Sequence, residues 1–591
     1  MRRNMEGTMQ EKIHQFDFCV VGGGMAGLIA ALAAARHGAK VALVQDRPVL
    51  GGNSSSEIRM HICGAHGKGN RETGILEEIQ MENHYRNREP NYSIWDSVTY
   101  GAAATQDGLT LFLNCTVQGV TMSEGANQQG QRRIASVSAW QMTTETRHTI
   151  HASLFADCSG DGILAPLSGA EFRVGREARH EYNESIAPLQ GDCKTMGMSC
   201  LFQSREHATP QPFIAPAWAH RFTTPEDLRG RNCNIRRTNY WWMEVGGDYD
   251  SIHDTEKLRD ELLKIAFGVW DYIKNYAPNR EQWTNWALDW QGFLPGKRES
   301  RRYVGDHVLT QNDIEAEGRF DDLVAYGGWT MDDHFPAGFY HPEAGTIFHP
   351  APSPYGIPLG SLYSRNVENL FCAGRCHSAT HAAMSSTRVM ATTSLMGQAV
   401  GTAAAIAVRD SLTPREVRRI RLCELQQTLM DDDCWLPWHS REVPELSRQA
   451  VLSCPSGDVE SLRNGVDRQV GDVPNSWSGS VGTPITYTFA STVRLQEARM
   501  IFDSNLNRDA NNMRHYYALG ASPWTVPETL VKGFRIESRQ PDGRWIPVYT
   551  ETNNYQRRVS VPLALETTAI RLIPETTWGA DQVRLFAFDV R

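Results

Sequence analysis

Cysteine is scarce in this chain: twelve in 591 residues, without regular spacing, too few and too scattered for a disulfide scaffold. They read as buried thiols of a protein in a reducing compartment, and the cytoplasm is the expected location. Long apolar runs are missing too. None reaches the ~18 residues that a bilayer crossing takes, and the longest, Val20 to Ala35, is interrupted by Gly22, Gly23, Gly24 and Gly27. The opening MRRNMEGTMQEKIHQ carries positive charge with no apolar stretch behind it and makes a poor leader. Nor is there a positive excess: 59 Lys and Arg stand against 68 Asp and Glu, net −9. Neither nucleic acid nor an anionic membrane is therefore expected as a partner. What is present is ordinary globular material, 41% hydrophobic and 21% charged. At ~150 residues per domain the length allows about four units, and two large ones fit it equally well.

Phe16 to Val21 (FDFCVV) is an apolar run of strand length that opens directly into Gly22-Gly23-Gly24-Met25-Ala26-Gly27, the pattern GxGxxG. LIAALAAARHG follows, rich in strong helix formers and closed by Gly38, and then a second apolar run, Val41 to Val44. In this order each glycine acquires a task. Gly22 permits the tight turn, Gly24 lets backbone approach a pyrophosphate, and Gly27 lets the helix lie close on the sheet. The helix N-terminus faces the anion. Where an acid ordinarily ends the second strand and holds a ribose stand Gln45 and Asp46, either of which can accept from a hydroxyl. A glycine pair follows in Leu50-Gly51-Gly52-Asn53-Ser54-Ser55. With it the chain resembles the two-dinucleotide-binding-domain FAD flavoproteins.

That resemblance implies further returns to the cofactor. Leu111 to Val120 reads as an alternating strand, and the resemblance sets Val117 against the adenine. SLFADCSGDG, Ser153 to Gly162, resembles a strand ending in a D-x-[ST]-G turn, with Ser159 and Gly160 at the cofactor. NLFCAGR, Asn369 to Arg375, resembles the late turn beside the ribityl chain, with Gly374 and Arg375. A helix from about Ser386 to Val408, rich in Ala, Gly and Thr, carries Gly397 and Gln398. GGNSSSEIRMHICGA, LPGKRESRRYVGDHVLTQNDI and CAGRCHSATHAAMSSTRVM narrow the likeness to a bacterial FAD-dependent oxidoreductase family related to the fumarate reductase and succinate dehydrogenase flavoproteins. It covers about residues 14 to 440. In that branch a histidine just after the glycine pair can carry flavin covalently. Here Asn53 and Ser54 hold the place and the nearest histidine is His61, so FAD is expected to be bound non-covalently. No second glycine-rich strand–helix motif offers itself to a nicotinamide. Electrons would leave through a diffusible acceptor, oxygen, a protein partner or the second substrate; the sequence names neither the acceptor nor the oligomeric state.

Residues 171–360 separate the third and fourth flavin segments and are expected to form a substrate-facing α+β insert. KRESRR offers Arg298, Arg301 and Arg302. An arginine fork clamps a carboxylate or an oxyanion, and a solvated charge cluster or an ion pair with Glu299 is the plain alternative. The family likeness favours Arg301. WTMDDHFPAGFYHP gathers Asp332, Asp333, His334 and His341. Oxidising an alcohol takes a base for the hydroxyl proton, and imidazole suits that work. His334 is the candidate base, Asp333 its orienting carboxylate, and Arg301, Arg59 and His381 candidates for holding substrate or stabilising charge. A divalent metal is the rival use of such a cluster, but no second ligand set at short spacing accompanies it and no metal is expected. Cys372 and Cys376 read as packing thiols. Trp283, Trp286 and Trp290 read as one face of a helix, core more readily than sugar platform.

Thr413-Pro414 starts a helix running towards Met430. From about residue 455 the texture becomes short alternating strands, with a hairpin turn at Pro541-Asp542-Gly543. This pattern gives an all-β sandwich of jelly-roll type. NGVDR (Asn464 to Arg468) and Trp477 resemble discoidin-type, galactose-binding-like domains, which implies either glycan binding or a brace. The expected architecture is a Rossmann-like α/β FAD-binding domain in two parts, 14–170 and 361–440, the inserted substrate domain 171–360, and the sandwich 455–591. The expected function is FAD-dependent dehydrogenation of an alcohol on a sugar or glycoside, a small-molecule carbohydrate being the partner. Two alternatives stand: reduction of an unsaturated carboxylate, and a carbohydrate-binding protein with a vestigial flavin.

Overall fold

The computed structural model describes residues 9–125, 130–234, 239–343, 345–508 and 512–591; the first eight residues, part of the stretch weighed as a leader, lie outside the described residues. The chain forms two compact units. Met1–Gly64, Asn91–Leu425 and Asn511–Ser522 make one, and Ala65–Pro90, Gln426–Ala510 and Pro523–Arg591 the other. The expected four-segment division therefore changes. The insert belongs to one body with the dinucleotide-binding parts, because its backbone is bonded to theirs: Tyr303 N–H donates to Cys376 O and Leu309 N–H to Ser378 O, and Tyr303 OH donates to Asp157.

In the first unit the chain runs through β1 (Gln10–Val21), α1 (Met25–Arg36), β2 (Val41–Val44), β3 (Leu109–Phe112), β4 (Cys115–Met122), β5 (Ile134–Gln141) and β6 (Thr146–Asp157). β3, β2, β1 and β6 lie side by side and parallel; β5 and β4 continue antiparallel from β6. The last three residues of β6 take Leu370–Cys372 as a further parallel partner. The expected strand Leu111 to Val120 is thus two strands, broken where Asn114 turns left-handed at φ 52°. The registers Val21↔Val44, Val21↔Asp157 and Cys372↔Asp157 bring Gly22, Gln45, Cys158 and Ala373 to one edge of the sheet. Ligands of open α/β sheets bind at such carboxyl ends.

α1 packs along the Met390–Asp410 helix. A Cβ on Gly397 would lie 2.1 Å from Ala26 O, and one on Gly401 would lie 2.1 Å from Ala30 O. Gly397 is therefore a helix-seam residue. This helix, Met390–Asp410, is long and apolar enough to cross a membrane although Thr, Ser, Gln and Gly punctuate it, and 94% of its most apolar stretch is buried. Trp283 sits in a short 3-10 turn, and Trp286 and Trp290 on the strand Trp286–Gln291, paired with Phe202–Glu206. The helical stripe is corrected to a strand, although Trp283 and Trp286 are core. The helix begun by Thr413, with its Glu416 capping box, ends at Ile420, and Leu422–Asp431 is a separate helix.

The second unit is built on antiparallel strands in the order Trp477–Ser480, Gln582–Val590, Ile485–Phe502, Arg558–Thr577, Val531–Arg539, Trp545–Glu551, with Val451–Ser453 added beside Ile485–Phe502. The two longest strands, of 18 and 20 residues, are interrupted by bulges, which bend them around a core that includes Trp477, Phe502, Phe534, Leu572 and Phe588. The turn at 541–543 closes a hairpin, with Gln540 N–H donating to Arg544 O. The C-terminal jelly-roll expectation holds.

Candidate active site

Where the strand ends meet, Gly22 takes φ 101°, and a Cβ on it would stand 2.5 Å from the backbone of Cys158 and Ser159. A side chain at Gly24 would find only Gly52 Cα, at 3.9 Å, so backbone is open to a ligand there. α1 starts at Gly24 with no side-chain cap and no acid in its first turn. Its backbone donors and positive dipole end are thereby offered to an anion. Gly51 N–H donates to Gly23 O (2.9 Å), Ser54 Oγ to Gly51 O (2.9 Å) and Asn53 Nδ2 to Lys297 O (3.2 Å). Gln45 stands directly after β2. Its Oε1 accepts from Gly23 N–H (2.7 Å) and its Nε2 donates to Val49 O (3.2 Å), so it shapes the glycine turn, and Asp46 beside it keeps the exposed carboxylate.

Asp157 closes the D-x-S-G turn. Its Oδ1 accepts from Ser159 N–H (3.0 Å) and Oγ (2.6 Å), its Oδ2 from Leu164 N–H (2.7 Å) and Tyr303 OH (2.7 Å); burial pushes this carboxyl up. A Cβ on Gly160 would meet the Arg375 guanidinium at 2.6 Å. Arg375 pairs with Asp161 (2.6 Å), which also pairs with Lys297 (2.8 Å). Against the effect of burial, these two cations hold Asp161 down at about 2. Gly374, at φ 96°, comes next to Ala26. Val117 packs in the core with Val21, Val44 and Phe112, and Gln398 is buried in the seam helix. Open glycine backbone at a helix N-terminus, flanked by Arg375 and Lys297, fits an anionic dinucleotide.

A second constellation lies on the strand Met331–His334 and the helix His381–Thr387. His334 Nδ1 is 2.6 Å from Glu244 Oε2, and its Nε2 is 3.1 Å from Asp332 Oδ2. Asp333 is not its orienting carboxylate. Alternation along the strand puts Asp332 on the face of His334 and turns Asp333 away, to His381 Nε2 at 3.1 Å. His381 Nδ1 lies 2.8 Å from Glu299 Oε2. Burial works to lower His381, but Glu299 and Asp333 outweigh it and raise the imidazole to about 10; His381 is a cation at neutral pH. Arg302 pairs with both Glu299 and Glu177. Arg298 donates to Ser199 Oγ (2.9 Å) and Trp241 O (2.9 Å) and stands 3.5 Å from Glu244. Arg388 reaches Asp332 at 3.2 Å. The Trp241 indole stands edge-on to His334, 5.3 Å between centroids.

Two sequence candidates lie outside this cluster. Arg301 donates to Asp161 O (3.3 Å) and rests over Phe172 at 5.6 Å; its neighbours Arg298 and Arg302 are the ones turned to the carboxylates. Arg59, at φ 62°, donates to Gln203 Oε1 (2.6 Å) and stacks over Tyr92 (4.7 Å) and Trp290 (4.3 Å). His341 stacks on Phe335 at 3.8 Å. His377 is buried between Gly374 O (2.9 Å) and Thr387 Oγ1 (3.1 Å), and burial lowers it to about 4. Cys372 and Cys376 are buried free thiols, pushed up by burial, and all twelve cysteines are free. Glu244 and Arg388 were missed. Glu244 stands 90 residues before its partner, with no local signal. Arg388 had one: it is the sole charge at neutral pH, His381 aside, between Arg375 and Arg409.

Residues 17–429 match the family model of the FAD dependent oxidoreductases. Among solved structures, the chain is similar to a geranylgeranyl bacteriochlorophyll reductase-like protein from Thermoplasma acidophilum, at 11% identity over 72% of this chain and 85% of that one, TM-score 0.32. Similarity to THI4 from Thermovibrio ammonificans is 21% over 30% of this chain and 76% of that one, TM-score 0.21. The family 32 carbohydrate-binding module of Streptococcus pneumoniae EndoD matches at 13% over 25% of this chain and 97% of that one, TM-score 0.19.

Proposed function

The chain belongs to the FAD dependent oxidoreductase family, and within it we propose that it dehydrogenates an alcohol on a sugar or glycoside, with FAD held non-covalently. The observation that carries the proposal is the buried Glu244–His334 pair. Bound FAD supplies the acceptor for the hydride that leaves the alcohol carbon. Glu244 holds His334 by Nδ1, so Nε2, once a substrate hydroxyl stands in place of Asp332, is the nitrogen that would take its proton. The hydroxyl would displace the longer Nε2···Asp332 contact, and Asp332 stays satisfied by Arg388 and by Thr346 Oγ1. His381, cationic between Glu299 and Asp333, offsets the negative charge that develops on the alcohol oxygen as its proton departs.

Substrate charge follows from the pairing. Arg298, Arg302, Arg388 and Arg176 each face a carboxylate: Glu244, Glu177 with Glu299, Asp332, and Asp192. A carboxylate substrate would have to compete for cations already engaged, whereas a neutral polyol need not, and this weighs against the enoate reductase. The half-buried Trp241 face beside His334 suits a pyranose ring.

The test is the visible spectrum of the purified protein under anaerobic conditions, titrated with sugars and glycosides. Bleaching of the flavin bands by one class supports the proposal. A flavin that none of them reduces, but that unsaturated acids reoxidise after dithionite treatment, would replace it with the reductase. Acid precipitation that releases the flavin into the supernatant tests the non-covalent link.

A further inference from the structure

Residues 512–522 stand late in the chain, among the strands of the β-sandwich, yet belong to the first unit. They are tied there at every step. Asn512 Oδ1, deeply buried, accepts from Ile62 N–H at 2.7 Å. Arg514 O accepts from Gln203 Nε2 at 2.7 Å. Tyr516–Tyr517 add a parallel rung to the Phe202–Glu206 strand, with Tyr516 opposite Ser204 and Tyr517 opposite Arg205. His515 lies edge-to-face on His61, 4.6 Å between centroids.

From His61 the contacts lead to the histidine–carboxylate cluster. Asn239 Nδ2 donates to His61 Nδ1 (3.1 Å), which leaves the ring proton on Nε2, 3.2 Å from Cys63 Sγ. Asn239 Oδ1 accepts from Trp241 N–H at 3.3 Å. The Trp241 carbonyl receives Arg298, which also stands against Glu244, and the Trp241 indole stands edge-on to His334. Burial lowers His61 to about 3 and His515 to about 4, so both rings are neutral and pack as such. Among the described residues His515 Nδ1 has no hydrogen-bond partner; the ring acts by shape.

We infer that Asn512 and His515 are positioning residues of the oxidoreductase site: a strap from the C-terminal part of the chain sets His61 and Asn239, and through them the Trp241 segment that walls His334 and orients Arg298. The inference rests on the cluster being the active site, but not on which substrate it takes.

The experiment uses the full-length chain labelled with ¹⁵N-histidine, its His334 ring signals assigned by their loss in His334→Gln. His515→Ala and Asn512→Ala should each displace those signals by more than their linewidth. His515→Phe, which keeps the edge contact, and Asn512→Asp, which keeps an acceptor for Ile62 N–H, should restore them. A strap that only stabilises the fold would lower the Tm of the alanine variants and leave the His334 signals in place, and that result would overturn the inference. Asn239→Asp covers the case in which the alanine variants do not fold. It removes the donor to His61 and keeps the acceptor for Trp241, so unmoved His334 signals there would equally sink the relay. No substrate enters the measurement, so it can fail while sugar oxidation stands, and the reverse.

Discussion

Two buried charge networks, one in each unit, are built to the same rule of alternating sign, and they differ in one component. In the second unit Arg441 lies against Asp589 and Asp467, Arg499 against Asp467 (2.7 Å) and Asp589 (3.4 Å), and Arg557 against Asp433 (2.8 Å). Arg468 donates to Gly69 O, Arg71 O and Thr73 Oγ1. These guanidiniums do not titrate in any ordinary range, so the network holds strands together and carries no imidazole that could serve as a base near neutral pH. In the first unit two imidazoles are threaded into the carboxylates, and the network opens outward: Glu244 and Glu299 are sealed, Asp332 is 13% exposed and Asp333 21%. Burial of charge is common to both. Only the network with titratable rings at a partly open edge is equipped for chemistry.

The largest effect should come from cutting the structural network. Arg441→Ala leaves Asp589 without its main partner, and stranding a buried charge costs ~3–5 kcal/mol. Chemical denaturation should show that loss in the transition of the second unit, while flavin content and flavin reduction stay near wild type in the protein that remains folded. Loss of flavin reduction in folded Arg441→Ala would erase the distinction between the two networks. Next comes His334→Gln. General-base removal is worth at least ~100-fold, so anaerobic bleaching by the active sugar should slow by that much with FAD still bound and stability little changed. A near-normal rate would remove His334 from the mechanism.

The two halves of the candidate site were not equally legible in the sequence. The cradle is written locally: strand, glycine turn and helix are consecutive, and each glycine's task follows from its neighbours in the chain, so Gly22, Gly24, Gly51 and Gly52 fall where the pattern put them. The helix seam is less plain. Gly397 looks the same in sequence whether it makes room for a cofactor or for Ala26 O, and its closeness to Ala26 O is visible only in the packing of α1. The cluster is written over long distances. WTMDDHFPAG supplied His334 and two acids, but which acid faces the ring depends on strand alternation, and the stronger partner, Glu244, arrives from another segment. Arg301 was preferred to Arg298 and Arg302 for the same reason: a cation's role depends on which way the backbone turns it. The strap of residues 512–522 had no sequence signal, since a parallel rung two residues long is below what periodicity detects.

The seam gives a smaller effect. Gly397→Ala drives a methyl against Ala26 O, and overpacking of this kind costs ~1–3 kcal/mol. Because α1 carries the glycine turn, the expected signature is weaker FAD retention together with a lowered first-unit transition. An equivalent loss of Tm with unchanged FAD affinity would show that the seam and the cradle are independent.

The smallest effects are the pH dependences, and they separate the networks most cleanly. The His381 imidazole is raised from 6.5 to about 10 in the folded state. Its contribution is therefore fully present below pH 6.5 and is lost as pH rises towards 10, because over that range the folded chain holds a proton that the unfolded chain has released. Asp589 is also raised, by burial, from 3.8 to about 6. Its contribution is fully present below pH 3.8 and lost as pH rises to about 6. Stability curves of His381→Gln should thus approach wild type between pH 6.5 and 10 and run parallel to it below. Those of Asp589→Asn should change relative to wild type only between pH 3.8 and 6. If the His381→Gln difference moved in the acid window instead, the ring would not be held as a cation between Glu299 and Asp333. The first-unit network would then lack the held imidazolium that sets it apart from the second.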